Sequence, residues 1–224
     1  MQNISKEDYL SAIYKYRNSD GTIKANKIAD KLSISNAAVT DMLKKLAKDG
    51  YINYEKYKGI NLTGNGEEYA KSMVRRHRIW ELFLHQIVGM PWDKVHDEAN
   101  RLEHSASDEL ISKMEEMLDF PEFDPHGDPI PAKDGSIPKQ KKSIPLIKLQ
   151  KDKTGIVTRV NDFDNDFLKY ISKIGIDLNE KIFVKDIFDF DKSMLIKIVD
   201  KEIIVSSTIA ANIYVEEEKS NNGK

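Results

Sequence analysis

The segment "KVHDEANRLEH", Lys94 to His104, gathers His96, Asp97, Glu98, Asn100, Glu103 and His104 within eleven residues. Imidazole nitrogens and carboxylate or amide oxygens at this density can coat a solvated helix, serve a catalytic centre or close around a metal ion. On a helix, His96, Asn100, Glu103 and His104 stand at i, i+4, i+7 and i+8, which is one face. Upstream, His77, Glu81 and His85 stand at i, i+4 and i+8, again one face. Two antiparallel helices could bring these faces together, and four of the five histidines of the chain lie on them. A nitrogen-and-oxygen donor set suits Mn(II), Fe(II), Co(II), Ni(II) or Zn(II). Asp8, on the first helix of the chain, is a further carboxylate that could be drawn to the same place. One His/Glu pair at i, i+4 is more often plain helix surface; two pairs on adjacent helices favour a metal site.

Three regions must position these groups. Up to about residue 74, "EDYLSAIYKY" and "IKANKIADKL" have helical apolar spacing. "SISN" breaks the pattern, and Ser35 can N-cap "NAAVTDMLKKLAKDG", which buries Val39, Leu43 and Leu46 and stops at Gly50. Two short helices joined by a polar turn describe a helix-turn-helix. "YINYEKYKGINLT" alternates around Lys58-Gly59, as a two-stranded hairpin or wing does. Ser35, Asn36, Ala37 and Thr40 would face DNA bases or phosphates, while Lys44, Lys56, Tyr57 and Lys58 would mostly contact phosphate.

The second region is helical. One long helix capped by Thr63 ends near Gly89, a second starts at Pro91 and runs to Ser105, and a third starts at Ser105 or Ser107. Trp80, Leu82, Phe83, Ile87 and Val88 are more apolar surface than one such helix normally exposes, and a homodimer interface would bury them. Six of the seven prolines then fall between 121 and 147, a linker or extended arm in which His126 reads as structural. "GIVTRV", "KIFVKDIF", "MLIKIV", "EIIVSS" and "ANIYVE" follow as short strands around one helix, which suggests a small β-barrel.

The expected organisation is therefore α+β. A winged helix-turn-helix spans 1–74 and a helical metal-binding and dimerisation domain 75–132. A Pro-rich linker (133–147), a small SH3-like β-barrel (148–216) and a disordered tail (217–224) complete the chain.

Composition narrows the function. With 224 residues, 40% hydrophobic and 32% charged, the chain is globular with room for more than one core. No apolar run approaches the ~20 residues that cross a bilayer, so no membrane association is expected. The absence of cysteine excludes disulfides and thiolate ligands and fits a cytoplasmic protein. The net charge of -2 hides an asymmetry: residues 1–76 carry 14 Lys+Arg against 9 Asp+Glu, whereas 77–224 carry 21 against 28. A basic first third suits a polyanion such as double-stranded DNA. A metalloenzyme ranks last. Neither ligand-bearing helix has Glu-x-x-His, and the chain has no HExxH or Gly-rich phosphate loop. A metal-independent winged-helix regulator is the alternative.

"EDYLSAIY", "VTDMLKKLAKDGYINYEKYKGINLT", "RRHRIWELFL", "KVHDEANRLEH" and "FDPHGDPIP" together resemble the diphtheria-toxin-repressor family of metal-dependent transcriptional repressors, over essentially the whole chain. The last region resembles the SH3-like (FeoA-like) domain that some members carry. The resemblance implies two neighbouring metal sites. One is similar to a set of His77, Glu81 and His96, with Asp162 or Asp164 as donors from the FeoA-like domain. The other is similar to Asp8, Asn100, Glu103 and His104. The iron-responsive branch usually has Met and Cys where this chain has Asp8 and Asn100, so the resemblance favours Mn(II), then Fe(II), with up to two ions per subunit. It also implies that metal orders a homodimer for binding operator DNA and so represses genes of metal-ion homeostasis.

Overall fold

A computed structural model describes residues 5–55, 59–162 and 164–218. The chain divides into two compact units. One holds the chain up to His77 together with 131–137; the other holds 78–130 and the chain from Pro138 onward.

The first unit starts with α1 (Lys6–Tyr16), α2 (Ala25–Leu32) and α3 (Asn36–Lys48). Ser5 and Asp8 form a capping box on α1, with Ser5 N donating to Asp8 Oδ2 at 2.6 Å. α2 stops because Ser33 adopts a left-handed conformation (φ 53). Ser35 then accepts from Ala38 N at 3.2 Å and starts α3. The hairpin is β1 (Ile52–Glu55) with β2 (Gly59–Leu62), in the register Ile52↔Leu62. Val39, Leu43 and Leu46 are buried as the spacing requires, in one core with Leu10, Ile13, Ile28 and Ile60. Ile23 adds a bridge that the sequence did not announce, exchanging both backbone hydrogen bonds with Ile60 at 2.9 Å. The winged helix-turn-helix expected from sequence is thus present; Lys56, Tyr57 and Lys58 lie outside the described residues.

α4 (Gly64–Gln86) begins at Thr63, whose Oγ1 accepts from Gly66 N at 3.1 Å. The division between units falls inside this helix, after His77. In the second unit α4 is followed by α5 (Trp92–Leu102) and α6 (Asp108–Met117, N-capped by Ser107). α5 was expected to run to Ser105. It ends at Leu102 because the chain must reverse to reach the Ser107 cap, so Glu103 and His104 sit in the turn. Leu82 is buried with Ile79, Ile111, Met114 and Ile130, and so leaves the expected dimer face. Ile87 and Val88 stay exposed, joined by Leu110, Met117 and Phe120.

The rest of the unit is a six-stranded antiparallel sheet in the order β3-β8-β4-β5-β6-β7. The strands are β3 (Ile144–Pro145), β4 (Thr154–Val160), β5 (Lys181–Ile187), β6 (Met194–Ile198), β7 (Lys201–Val205) and β8 (Ile213–Glu217). α7 (Asn165–Lys173) and α8 (Ser207–Ala211) complete it. The expected small β-module is there, but its sheet is open: among the described residues β3 pairs only with β8 and β7 only with β6. β3 lies within the stretch read as linker. Glu217 ends β8 and Glu218 N still donates to Thr154 O at 2.9 Å, so these two residues of the expected tail belong to the sheet. Trp92 at the start of α5 is buried in the core of this sheet, with Val160, Leu168 and Ile213. Among the described residues no helix is long and apolar enough to cross a membrane.

Candidate metal centres and nucleic-acid interface

Glu81 is the most buried charged group of α4, fully shielded from solvent. Its Oε1 lies 3.0 Å from Nδ1 of His96 on α5. His77 is buried one helical turn earlier on the same helix. Two loops of the second unit also reach Glu81. His126 comes from the segment after α6 and Asp162 from the segment after β4. Ligand atoms of Glu81, His126 and Asp162 lie within 4.8 Å of one another.

His126 has no solvent exposure. Its Nε2 is 3.2 Å from the carbonyl oxygen of Trp92. That oxygen can only accept, so Nε2 carries the proton, and in the neutral ring Nδ1 presents a lone pair. Nδ1 is buried with no hydrogen-bond partner among the described residues. An imidazole that donates one N–H to a carbonyl while its other nitrogen faces carboxylates is arranged as metal-binding histidines are. The Trp92 ring stacks on it, with centroids 5.8 Å apart and planes at 24°.

The loop that carries His126 is fixed by its acids and its glycine. Asp124 Oδ1 accepts from the backbone N–H of His126 and of Asp128, both at 2.9 Å. Its Oδ2 lies 3.3 Å from Arg78 Nε. Gly127 packs against β4 so closely that a Cβ there would sit 2.2 Å from Thr158 O. β4 is irregular at this point, its register with β8 shifting between Val157 and Arg159. Val160 N donates to His126 O at 2.9 Å. Asp162 is two residues further on, so this packing delivers it to His126.

Charge is concentrated here. Burial pushes the Asp124 carboxyl up to about 7, and Asp128 adds to the shift while Arg78 opposes it. Burial pulls the His126 imidazole down, but Glu81, Asp124 and Asp162 outweigh it and the net shift is upward. Burial likewise opposes the charge on Arg78, and Asp124, Asp128, Glu81 and Asp162 hold it above its ordinary value. A buried site with one unpartnered imidazole nitrogen and two carboxylates fits a divalent cation, and N/O donors suit Mn(II) or Fe(II).

The other expected ligands are placed as follows. Asp164 does not join Glu81: it N-caps α7, its Oδ1 accepting from Asp166 N at 2.8 Å and Phe167 N at 3.1 Å. Glu103 is buried at the end of α5, 3.5 Å from His104 Nε2, and Asn100 is half-buried one turn before. Asp8 belongs to the first unit, as the acidic half of the α1 capping box. His85 ties the α4–α5 turn, with Nδ1 3.0 Å from Met90 O. The sequence reading passed over His126 because it sits in a Pro-rich arm with no helical spacing. The available signal was a lone histidine between two aspartates and beside a glycine.

On α3, Asn36 and Ala37 are exposed in the first turn, and Thr40 Oγ1 bonds back to Asn36 O at 2.8 Å. Lys44 is exposed, 3.5 Å from Asp41. Small and polar groups at a helix start, followed by lysines, form a surface that DNA can approach closely.

Comparison with known proteins identifies the family. Residues 3–60 match the iron dependent repressor N-terminal DNA binding domain. Residues 63–132 match the iron dependent repressor metal binding and dimerisation domain, and 144–217 the FeoA domain. An uncharacterised HTH-type transcriptional regulator of Methanocaldococcus jannaschii is 39% identical over 51% of this chain and 93% of its own length. The HTH-type transcriptional regulator MntR of Lysinibacillus sphaericus is 34% identical over 56% of this chain and 89% of its own. Among solved structures, a manganese-dependent transcriptional repressor in complex with manganese superposes with a TM-score of 0.85 at 33% identity, covering 94% of this chain and 99% of that one. ScaR with bound Cd2+ gives 0.79 at 32% identity, covering 95% and 99%. The chain belongs to the iron-dependent repressor family of metal-responsive DNA-binding transcriptional repressors, in the form that carries a FeoA domain.

Proposed function

We propose that this protein is a cytoplasmic, homodimeric repressor that binds operator DNA when loaded with Mn(II), or next best Fe(II), controls genes of metal-ion homeostasis and has no catalytic role. The observation that carries the reading is the buried Glu81, with His96 on one side and, on the other, Asp162 and the Nδ1 of His126, which has no hydrogen-bond partner among the described residues. Within the second unit Glu81 is common to His96 and to the set Glu81/His126/Asp162, and the family resemblance adds His77 to the former. A second ion is assigned, from the family resemblance, to Asp8, Asn100, Glu103 and His104. Hard oxygen and imidazole donors with no thiolate or thioether favour Mn(II), in keeping with the manganese-dependent repressors among the similar structures.

A bound dication would supply the positive charge that offsets the carboxylates gathered around His126. The residues do the rest. The Trp92 carbonyl holds the His126 tautomer, Asp124 holds its loop, and Gly127 lets that loop touch β4. The Ser35–Lys44 stretch and the wing lysines take the operator, with phosphate contacts that position and base contacts that specify. Ile87, Val88, Leu110, Met117 and Phe120, each exposed in the single chain, are apolar groups that a dimer would bury. Metal and operator are linked, so each raises the affinity for the other by the same factor.

Fluorescence anisotropy of the purified protein on its own upstream DNA tests this, with chelator, then Mn(II), then anaerobic Fe(II). Binding that appears only with metal is expected, Mn(II) being more effective. Equal binding in chelator would defeat the metal-dependent reading.

A further inference from the structure

The extended segment ahead of β3 and the sheet of the second unit form an open pocket of about 150 Å³ that none of the candidate metal ligands lines. Phe123 and Leu178 give it apolar walls. Lys141 and Arg159 give it positive charge, and Ser143 and Asn179 give it a hydroxyl and an amide. The two cations are not equivalent. The Arg159 guanidinium lies 3.6 Å from the Tyr214 ring centroid, 3.2 Å from Asn161 Oδ1 and 3.8 Å from Asp128 Oδ1, so its charge is largely answered. Lys141 has no ion-pair partner among the described residues, and the side chains of Ser143 and Asn179 have no hydrogen-bond partner there. Asn179 also holds a left-handed backbone (φ 66), pinned by its N–H on Val157 O at 2.8 Å. Asparagine adopts this conformation readily, and the pinned backbone holds its amide at the rim of the pocket.

One unanswered cation, two polar groups and an apolar wall fit a ligand with a single negative charge on two oxygens and a hydrocarbon body. The pocket of about 150 Å³ is open to solvent on one side, and a volume of that order accepts about one benzene ring, so a small aromatic acid fits with its polar end at the mouth. We propose that this cavity binds a small organic monocarboxylate, its carboxylate toward Lys141 and Asn179 and its body against Phe123 and Leu178.

The test is NMR titration of the full chain with benzoate, with benzamide as the uncharged isostere and inorganic phosphate as the bare anion. The Asn179 side-chain amide and the Leu178 methyls are followed. Benzoate should shift both saturably, and benzamide should bind about tenfold more weakly. Lys141→Gln, on an exposed segment, should weaken benzoate about threefold, as loss of an exposed ion pair does. Ser143→Phe should fill the cavity and abolish the shifts. No saturable shift with benzoate, equal binding of benzamide, or shifts that survive Ser143→Phe would each overturn the proposal. Phosphate binding more tightly than benzoate would overturn the carboxylate assignment.

Discussion

Gly127→Ala tests whether the loop at 123–130 is what sets Asp162 against His126. Gly127 has φ +88, and an added Cβ would lie 2.2 Å from Thr158 O and 2.9 Å from Arg159 Cα. Two costs arise. An L-residue in the left-handed region is disfavoured by roughly 1–2 kcal/mol. The overlap is worse, because both nearest atoms are backbone and no rotamer relieves it. The loop and β4 must part, which loses the 2.9 Å bond from Val160 N to His126 O, worth about 1 kcal/mol net, together with local packing. The total should be about 3 kcal/mol, in the range of substitutions that strain a packed backbone. Gly135→Ala is the control. Its φ is +79, but the only heavy atom within 4 Å of a Cβ is Lys71 Cδ at 4.0 Å, so it carries the backbone cost alone. Urea unfolding of the two metal-free variants should differ by about 2 kcal/mol. Mn(II) titration should then show an affinity loss of about tenfold or more for Gly127→Ala and none for Gly135→Ala, because ligands must be held to about 0.5 Å. If the two variants unfold alike, the loop is not pressed on β4 as described and the argument for Asp162 fails with it.

Three further expectations bear on the ligands and their surroundings. His126→Ala should lower Mn(II) affinity about 100-fold at one binding event, the upper end of what losing even an outer partner costs. It should also remove the metal-dependent change in Trp92 fluorescence that the 5.8 Å stacking predicts, and calorimetry with unaltered stoichiometry and affinity would count against His126 as a ligand. Asp8→Ala should abolish metal-activated operator binding and cost about 1 kcal/mol through the capping box. Ser5→Ala should cost a similar amount yet keep the metal response, and a full response in Asp8→Ala would rule Asp8 out. Tyr69 is pushed up to about 12, first by burial and then by its 2.9 Å hydrogen bond to Glu7. Its folded pKa lies above the unfolded value, so its contribution is complete below about pH 10 and is lost as pH rises towards 12. Tyr69→Phe should flatten that limb in thermal melts between pH 8 and 12; identical limbs would remove Tyr69 as the cause.

What the sequence disclosed, and what it kept back, follows from how each feature is built. Features written in local spacing were legible. Val39, Leu43 and Leu46 fall on one helical stripe, Ser35 and Thr63 mark helix starts, and the strands of the last region alternate. The i, i+4 spacing of His77 and Glu81 on α4 was legible for the same reason, and so was His96, half-buried on α5 and facing Glu81. Features made by long-range contact were not. Ile23 bridges Ile60 by one residue, too short for any period to register. Leu82 looked like part of the apolar surface, and only the placement of α6 shows that it is core. The open edge of the sheet depends on whether β3 and β7 meet, which no single strand encodes.

His126 is the sharpest case. It shares no periodicity with Glu81, which lies 45 residues earlier in the numbering, or with Asp162, 36 residues later. What joins them is a glycine without a side chain touching an irregular point of β4, and a tryptophan carbonyl that accepts a hydrogen bond from one imidazole nitrogen. The same Glu81 also meets His96, so a carboxylate that sequence assigns to one ligand set stands within reach of two. We propose that one ion draws on both sets through the shared Glu81, so His96→Ala and His126→Ala should weaken the same step of a Mn(II) titration; displacement of two different steps would refute the sharing.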